Sequence, residues 1–214
     1  SKALGVGRGG TITNILTELE LSGFIRKDCA FDPNSGNSRE RNHRFRLRDN
    51  YLRFYLKYVE PEREAIQKGL YESVPMDALA AWETTSGLQF ENLVHDNLLQ
   101  LLKFGGLENI PIENLGPYFQ NTTQRQKSCQ IDVLAKSKRS LYAFEIKFRK
   151  QVSGSVMDEM DEKIYRLKLP RGQSVRRGLI YGGGKLDAEI EKSDYFDAII
   201  SVDEFLLADL DEFD

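Results

Sequence analysis

No apolar run in this chain approaches the roughly twenty residues that cross a bilayer. The N-terminus also lacks the basic-then-apolar pattern of an export signal, so a soluble, cytoplasmic protein is expected. Cysteine and histidine are scarce. Cys29 and Cys129 stand a hundred positions apart and share no ligand spacing with His43 and His95, which excludes a disulfide scaffold and a zinc site. No Gly-Lys-Ser/Thr occurs, so any ATPase activity must lie outside this chain. Gly5-Val6-Gly7-Arg8-Gly9-Gly10 satisfies the dinucleotide pattern, but too little sequence precedes Gly5 to form the strand such a site requires, and helices follow where strand-helix units should. The chain opens Ser1-Lys2-Ala3-Leu4 without an initiator Met, as a fragment of a longer polypeptide would.

What is present is an ordinary globular composition. With 214 residues, 40% hydrophobic and 29% charged, the chain is neither disordered nor fibrous, and its length suits one small and one medium domain. The net charge of −3 conceals local patches. Arg39, Arg41, Arg44, Arg46 and Arg48 form one, with His43 among them; Arg125 to Lys150, including Lys127, forms another. Such clusters decide whether a polyanion binds, although a solvated surface is the plain alternative. Acids crowd the end of the chain from Asp203, where a short helix and a solvated tail are expected.

Ile12, Ile15, Leu16 and Leu19 recur with helical spacing over Thr11 to Ser22, and Gly23 is placed to end that helix in the left-handed region. Phe24 to Phe31 reads as a strand. Asp32 to Asn42 is rich in loop residues, and Arg44 to Leu47 alternates as a returning strand. Asp49 and Asn50 offer caps for a helix carrying Tyr51, Leu52, Phe54, Tyr55, Leu56, Tyr58 and Val59, apolar nearly all round and expected to be buried, with Pro61 ending it or starting the next. Met76 to Phe104 is helical in spacing, with a break expected near Gly87. Phe90, Leu93, Val94, Asn97 and Leu101 make its stripe, Glu91 borders it, and Gly105-Gly106 stops it. Further on, Met157, Met160, Ile164 and Leu167 line a helix, and Arg177 to Tyr181 and Ala198 to Val202 are short strands.

Gln130 to Ala135 and Leu141 to Phe148 are strands joined by a short polar turn. A hairpin centred between Lys138 and Arg139 sets Asp132 directly opposite Glu145, with Lys147 two positions on and on the same face. Two opposed carboxylates disfavour the sheet unless a cation sits between them, and oxygen ligands of this kind suit Mg²⁺ or Mn²⁺.

Asp132, followed after twelve residues by Glu145-Ile146-Lys147, resembles the PD-(D/E)xK nuclease motif, and Glu91 is similar to the extra acidic position of many members. Ile131 stands where the motif has Pro. Asp161-Glu162-Lys163-Ile164-Tyr165 keeps only the Tyr of the Gln-x-x-x-Tyr found in some members. Residues 16–25 resemble the recognition helix and wing of a truncated winged helix-turn-helix, used either to bind DNA or as a connector. Together with Tyr51-Leu52-Arg53-Phe54-Tyr55 and Phe90-Glu91, these segments resemble the C-terminal region of archaeal-type AAA ATPases.

The resemblance implies an α/β fold: a restriction-endonuclease-like mixed sheet flanked by helices over 75–214, behind a partial winged helix over 1–49 and a helical connector over 50–74. It implies Asp132, Glu145 and Lys147 as catalytic residues, Glu91, Asp132 and Glu145 as Mg²⁺ or Mn²⁺ ligands, and DNA and an N-terminal ATPase module as partners. Arg39, Arg41, Arg44, Arg46, Arg48, Arg125 and Lys127 are the expected DNA contacts. A catalytically inactive regulatory region and a transcriptional regulator are the rival readings.

Overall fold

The computed structural model describes residues 10–124, 126–167 and 169–208. The Gly5 pattern up to Gly9, Arg125 and the tail beyond Ala208 lie outside them. The chain divides into two compact units, one containing His43–Thr85 with the residues up to Asp28, the other Cys29–Asn42 and Ser86–Asp214. The β-hairpin therefore contributes its base to the first unit and its tip to the second, and the expected connector over 50–74 belongs to the first. Among the described residues no helix is long and apolar enough to cross a membrane.

In the first unit, α1 (Gly10–Leu21) ends as its sequence predicts. Gly23 adopts φ +78°, and the amides of Gly23 and Phe24 donate to Glu20 and Leu19, closing the last turn. A hairpin of β1 (Ile25–Phe31) and β2 (Ser38–Leu47) follows. Its turn is shorter than the loop expected over Asp32 to Asn42, because Ser38 to Asn42 already pair as strand. Asp49 caps α2 (Asn50–Phe54) by accepting from the Leu52 amide at 2.6 Å, and a π-helical turn, Tyr55–Val59, continues it. The expectation that this segment is buried fails. Tyr51 is 73% and Leu56 54% exposed, while Tyr58 is buried and meets Phe54 and Trp82 at ring distances of 5.4 and 6.0 Å. A periodicity apolar all round cannot say which side finds partners. α3 (Arg63–Gln67) follows Pro61.

In the second unit, α4 (Trp82–Asp96) begins in the first unit and runs through Gly87 without the expected break. The expected helix is instead interrupted after Met76–Ala78, which form only a 3-10 turn, and again at Asn97, before α5 (Leu98–Leu102). The helical run stops at Gly106, φ +77°, as the Gly pair predicts; a Cβ on Gly105 would come within 2.6 Å of Ile200, so this turn needs a bare backbone. The strands are β3 (Ile112–Gln120), β4 (Cys129–Ser137), β5 (Ser140–Phe148), β6 (Gln151–Val152), β7 (Ser174–Gly182), β8 (Lys185–Leu186) and β9 (Ala198–Ser201). Helices α6 (Ser155–Arg166), α7 (Ala188–Glu191) and α8 (Val202–Leu207) lie between or after them. Val202 thus opens a helix capped by Ser201 instead of extending β9, and the acids Asp203 and Glu204 occupy its first turn, where the helix dipole favours them.

The result is a mixed α/β unit, as expected: a five-stranded sheet of order β3-β4-β5-β7-β9, flanked by helices. β3, β4 and β5 are antiparallel, whereas β7 and β9 run parallel to β5. One face packs Ile131, Leu141, Ala143 and Leu179 against Val156 and Met160 of α6. The other packs Val133, Phe144, Ile146 and Ile180 against Phe90, Val94 and Leu101 of α4 and α5. At the centre, Gly178 lies beside Phe144, and a Cβ there would sit 2.2 Å from the ring. Gly178→Ala is expected to destabilise the protein by about 1–3 kcal/mol through overpacking, as a lowered midpoint in urea; an unchanged midpoint would contradict this packing.

Candidate functional site

The site forms where β4 and β5 meet. Their register runs Lys136↔Leu141, Ala135↔Tyr142, Leu134↔Ala143 and Val133↔Phe144, around a turn at Lys138 and Arg139. The ladder ends at Val133 and Phe144; continued by one position, the same register would set Asp132 opposite Glu145. On its other side β4 pairs with β3 out of step: Gly116 faces Leu134 while Tyr118 faces Ile131, so Pro117 alone stands against Asp132 and Val133. Proline has no N–H to give the ladder, and the extra β4 residue makes a bulge, a device that re-aims a side chain. Asp132 then turns across the ladder, and its Oδ2 accepts the Ile146 amide at 3.0 Å.

On β5, Leu141 and Ala143 face α6, so strand alternation puts Glu145 and Lys147 on that face too. Glu145 is buried, 3% exposed. Its Oε1 lies 3.1 Å from Lys147 Nζ and its Oε2 lies 2.5 Å from Nζ of Lys163, which α6 supplies. Lys147 also reaches Glu159, one helical turn before Lys163, at 2.7 Å. These groups gather at the carboxyl end of β5, the usual place for ligands in open α/β sheets.

The electrostatics follow from this crowding. Burial and the charge of Glu145 push the Asp132 carboxyl up to about 7; Lys163 and the Ile146 amide oppose the rise, and Glu91 adds to it. Burial alone would depress Lys147, but Glu145 and Glu159 outweigh it and hold its ammonium above the ordinary range.

The expected residues are brought together only in part. Asp132, Glu145 and Lys147 share one end of the sheet. Half-buried Glu91 on α4 is close enough for its charge to act on Asp132. Among the described residues, however, no three His, Cys, Asp or Glu side chains are grouped to hold a metal, so Glu91 does not complete a three-carboxylate cage. Mg²⁺ commonly takes one or two protein carboxylates and keeps several waters. Asp132 and Glu145 fit that donor set, and a half-buried carboxyl pushed up to about 7 beside a second carboxylate marks a demand for positive charge. Lys163 is not among the expected site residues; Tyr165, the part of the Gln-x-x-x-Tyr pattern that this helix keeps, is 90% exposed. The signal was the stripe of α6, because Lys163 lies three positions after the core residue Met160.

The expected DNA contacts are scattered. Strand alternation on β2 sends Arg39 and Arg41 to one face and Arg44 and Arg46 to the other. Arg39 pairs with Asp32 at 3.0 Å, and Arg46 with buried Asp28 at 3.2 Å. Arg41, Arg44, Arg48 and Lys127 are exposed.

No curated protein matches the chain significantly. Among solved structures it is similar to protein VC1899 from Vibrio cholerae, with 17% identity and a TM-score of 0.41 over 91% of this chain and 47% of that one. This chain thus spans about half the length of that protein. The family model of DUF234, archaeal and bacterial proteins of unknown function, matches residues 55–162, a stretch that holds Glu91, Asp132, Glu145 and Lys147, and the chain belongs to that family.

Proposed function

We propose that the second unit is a divalent-metal-dependent phosphodiesterase of the PD-(D/E)xK nuclease-like class, acting on DNA. The observation that carries this reading is the meeting of Asp132, Glu145 and Lys147 at one end of a mixed sheet, through a hairpin register and a bulge. Asp132 and Glu145 would hold Mg²⁺ or Mn²⁺, which supplies a Lewis acid for a phosphate oxygen and lowers the pKa of a bound water. Lys147 keeps its proton and faces the same end of the sheet, where its charge suits an attacking water or the developing phosphorane. On the same reading residues 1–49 are a partial winged helix that presents Arg44 and Arg48 to DNA phosphates, and the chain is the C-terminal part of a larger AAA-type ATPase.

The test is cleavage of linear, nicked and branched DNA with and without Mg²⁺, beside Asp132→Asn. Metal-dependent cleavage that the variant lacks is expected; equal cleavage by both proteins would refute the site. Mg²⁺ at a hundred times its dissociation constant is expected to stabilise the wild type by about 2.7 kcal/mol and Asp132→Asn not at all, read as a shift in melting temperature. For the hairpin, Arg44→Ala with Arg48→Ala should flatten the log-log salt dependence of DNA binding by about two units. An unchanged slope would indicate a connector.

One observation favours a second reading, a non-catalytic DNA-binding or regulatory region. Both oxygens of Glu145 already have lysine partners, so the carboxylates could serve the fold alone. That protein would show neither metal response nor cleavage.

A further inference from the structure

We propose that Lys163 is the built-in counter-cation of this site, pairing with Glu145 Oε2 and so competing with a divalent metal for that carboxylate and setting how tightly the metal would bind. The inference rests on the metal-site reading above and extends it to a residue outside the Asp-Glu-x-Lys pattern.

Charge and placement support it. Asp132, Glu145, Glu159 and, at longer range, Glu91 bring negative charge to this end of the sheet, and two ammonium groups answer it. Lys147 divides its charge between Glu145 and Glu159. Lys163 approaches from the helix and makes the shorter contact with Glu145, 2.5 Å against 3.1 Å. Its charge also acts on Asp132, so it serves both carboxylates that would hold the metal. A cation held by these carboxylates would compete with this ammonium for Glu145. Displacement asks little of the backbone. The lysine stem is flexible and its ammonium strongly hydrated, and the Lys163 side chain keeps 23% of its surface exposed, so it can swing toward water. Arginine would be a different device, since a guanidinium grips a carboxylate with two parallel bonds and yields it less readily.

The test is a calorimetric titration with Mn²⁺ alone, with no DNA and no turnover, on the full chain as wild type, Lys163→Met, Lys163→Gln and Lys163→Arg. The two neutral variants guard against one failing to fold, which circular dichroism would reveal. Lys163→Met or Lys163→Gln is expected to bind Mn²⁺ about ten- to a hundredfold more tightly, as removing a nearby unit charge from a partly screened site implies. Lys163→Arg should bind no more tightly than wild type. Mn²⁺ binding by a neutral variant alone, with none by wild type, would support the inference most directly. Equal or weaker binding by the neutral variants, with wild type binding well, would overturn it and leave the metal site standing. Binding by none of the four would overturn both.

Discussion

Asp132→Asn is expected to make the protein more stable at pH 8, by at most about 4 kcal/mol at 1.4 kcal/mol per pKa unit. The carboxyl is raised from 3.8 to about 7 by burial and by Glu145. The native state therefore holds its proton where the unfolded chain has lost it, and stability falls as pH rises from about 4 through about 7. Below the unfolded value the penalty is absent; above the folded value it is complete. Asparagine removes the charge and keeps an oxygen for the Ile146 amide, and its N–H groups can donate toward Glu145. Urea unfolding at pH 5 and pH 8 checks this. Wild type should lose stability between the two, and the variant should be nearly flat. A wild type as stable at pH 8 as at pH 5 would mean that Asp132 is solvated and that the bulge does not aim it inward.

Glu145→Gln is expected to act in the opposite direction, costing about 3 kcal/mol at pH 5, the range for breaking a buried ion pair by removing one partner. Two ammonium groups lose their shared anion, although Lys147 retains Glu159. At pH 8 the cost should shrink, because the same substitution relieves the repulsion on Asp132. Pairing it with Lys163→Met should restore part of the loss, since removing both members of a buried pair is far less damaging than removing one. Strict additivity of the two substitutions would show that the Lys163–Glu145 contact carries no stability. The two carboxylates thus have unlike roles in the fold: Asp132 strains it and Glu145 ties strand to helix.

Much of this was legible in the sequence because it is local. Gly23 ends its helix in a left-handed turn, Asp49 caps the next, and the stripe of Phe90, Val94 and Leu101 faces the sheet. The β4–β5 register follows from a two-residue turn and needs no knowledge of the remaining strands. Composition and spacing also determined that the larger unit mixes strands with helices, and placed Asp132, Glu145 and Lys147 on one hairpin. Only the tertiary structure decided the rest. β3 carries no legible strand pattern because Gly116-Pro117 interrupts it, and proline is tolerated there because β3 is an edge strand with a bulge opposite. The aromatic segment at Tyr51 to Val59 looked buried because periodicity records apolar faces and not what covers them. Lys163 lies eighteen positions from Glu145 on a different element, and nothing in either segment alone says that the ammonium and the carboxylate will meet. Their pairing exists because α6 packs its Val156–Met160 face onto the sheet over β4, and the packing of that helix, a long-range event, chooses which of its charged side chains turns toward Glu145.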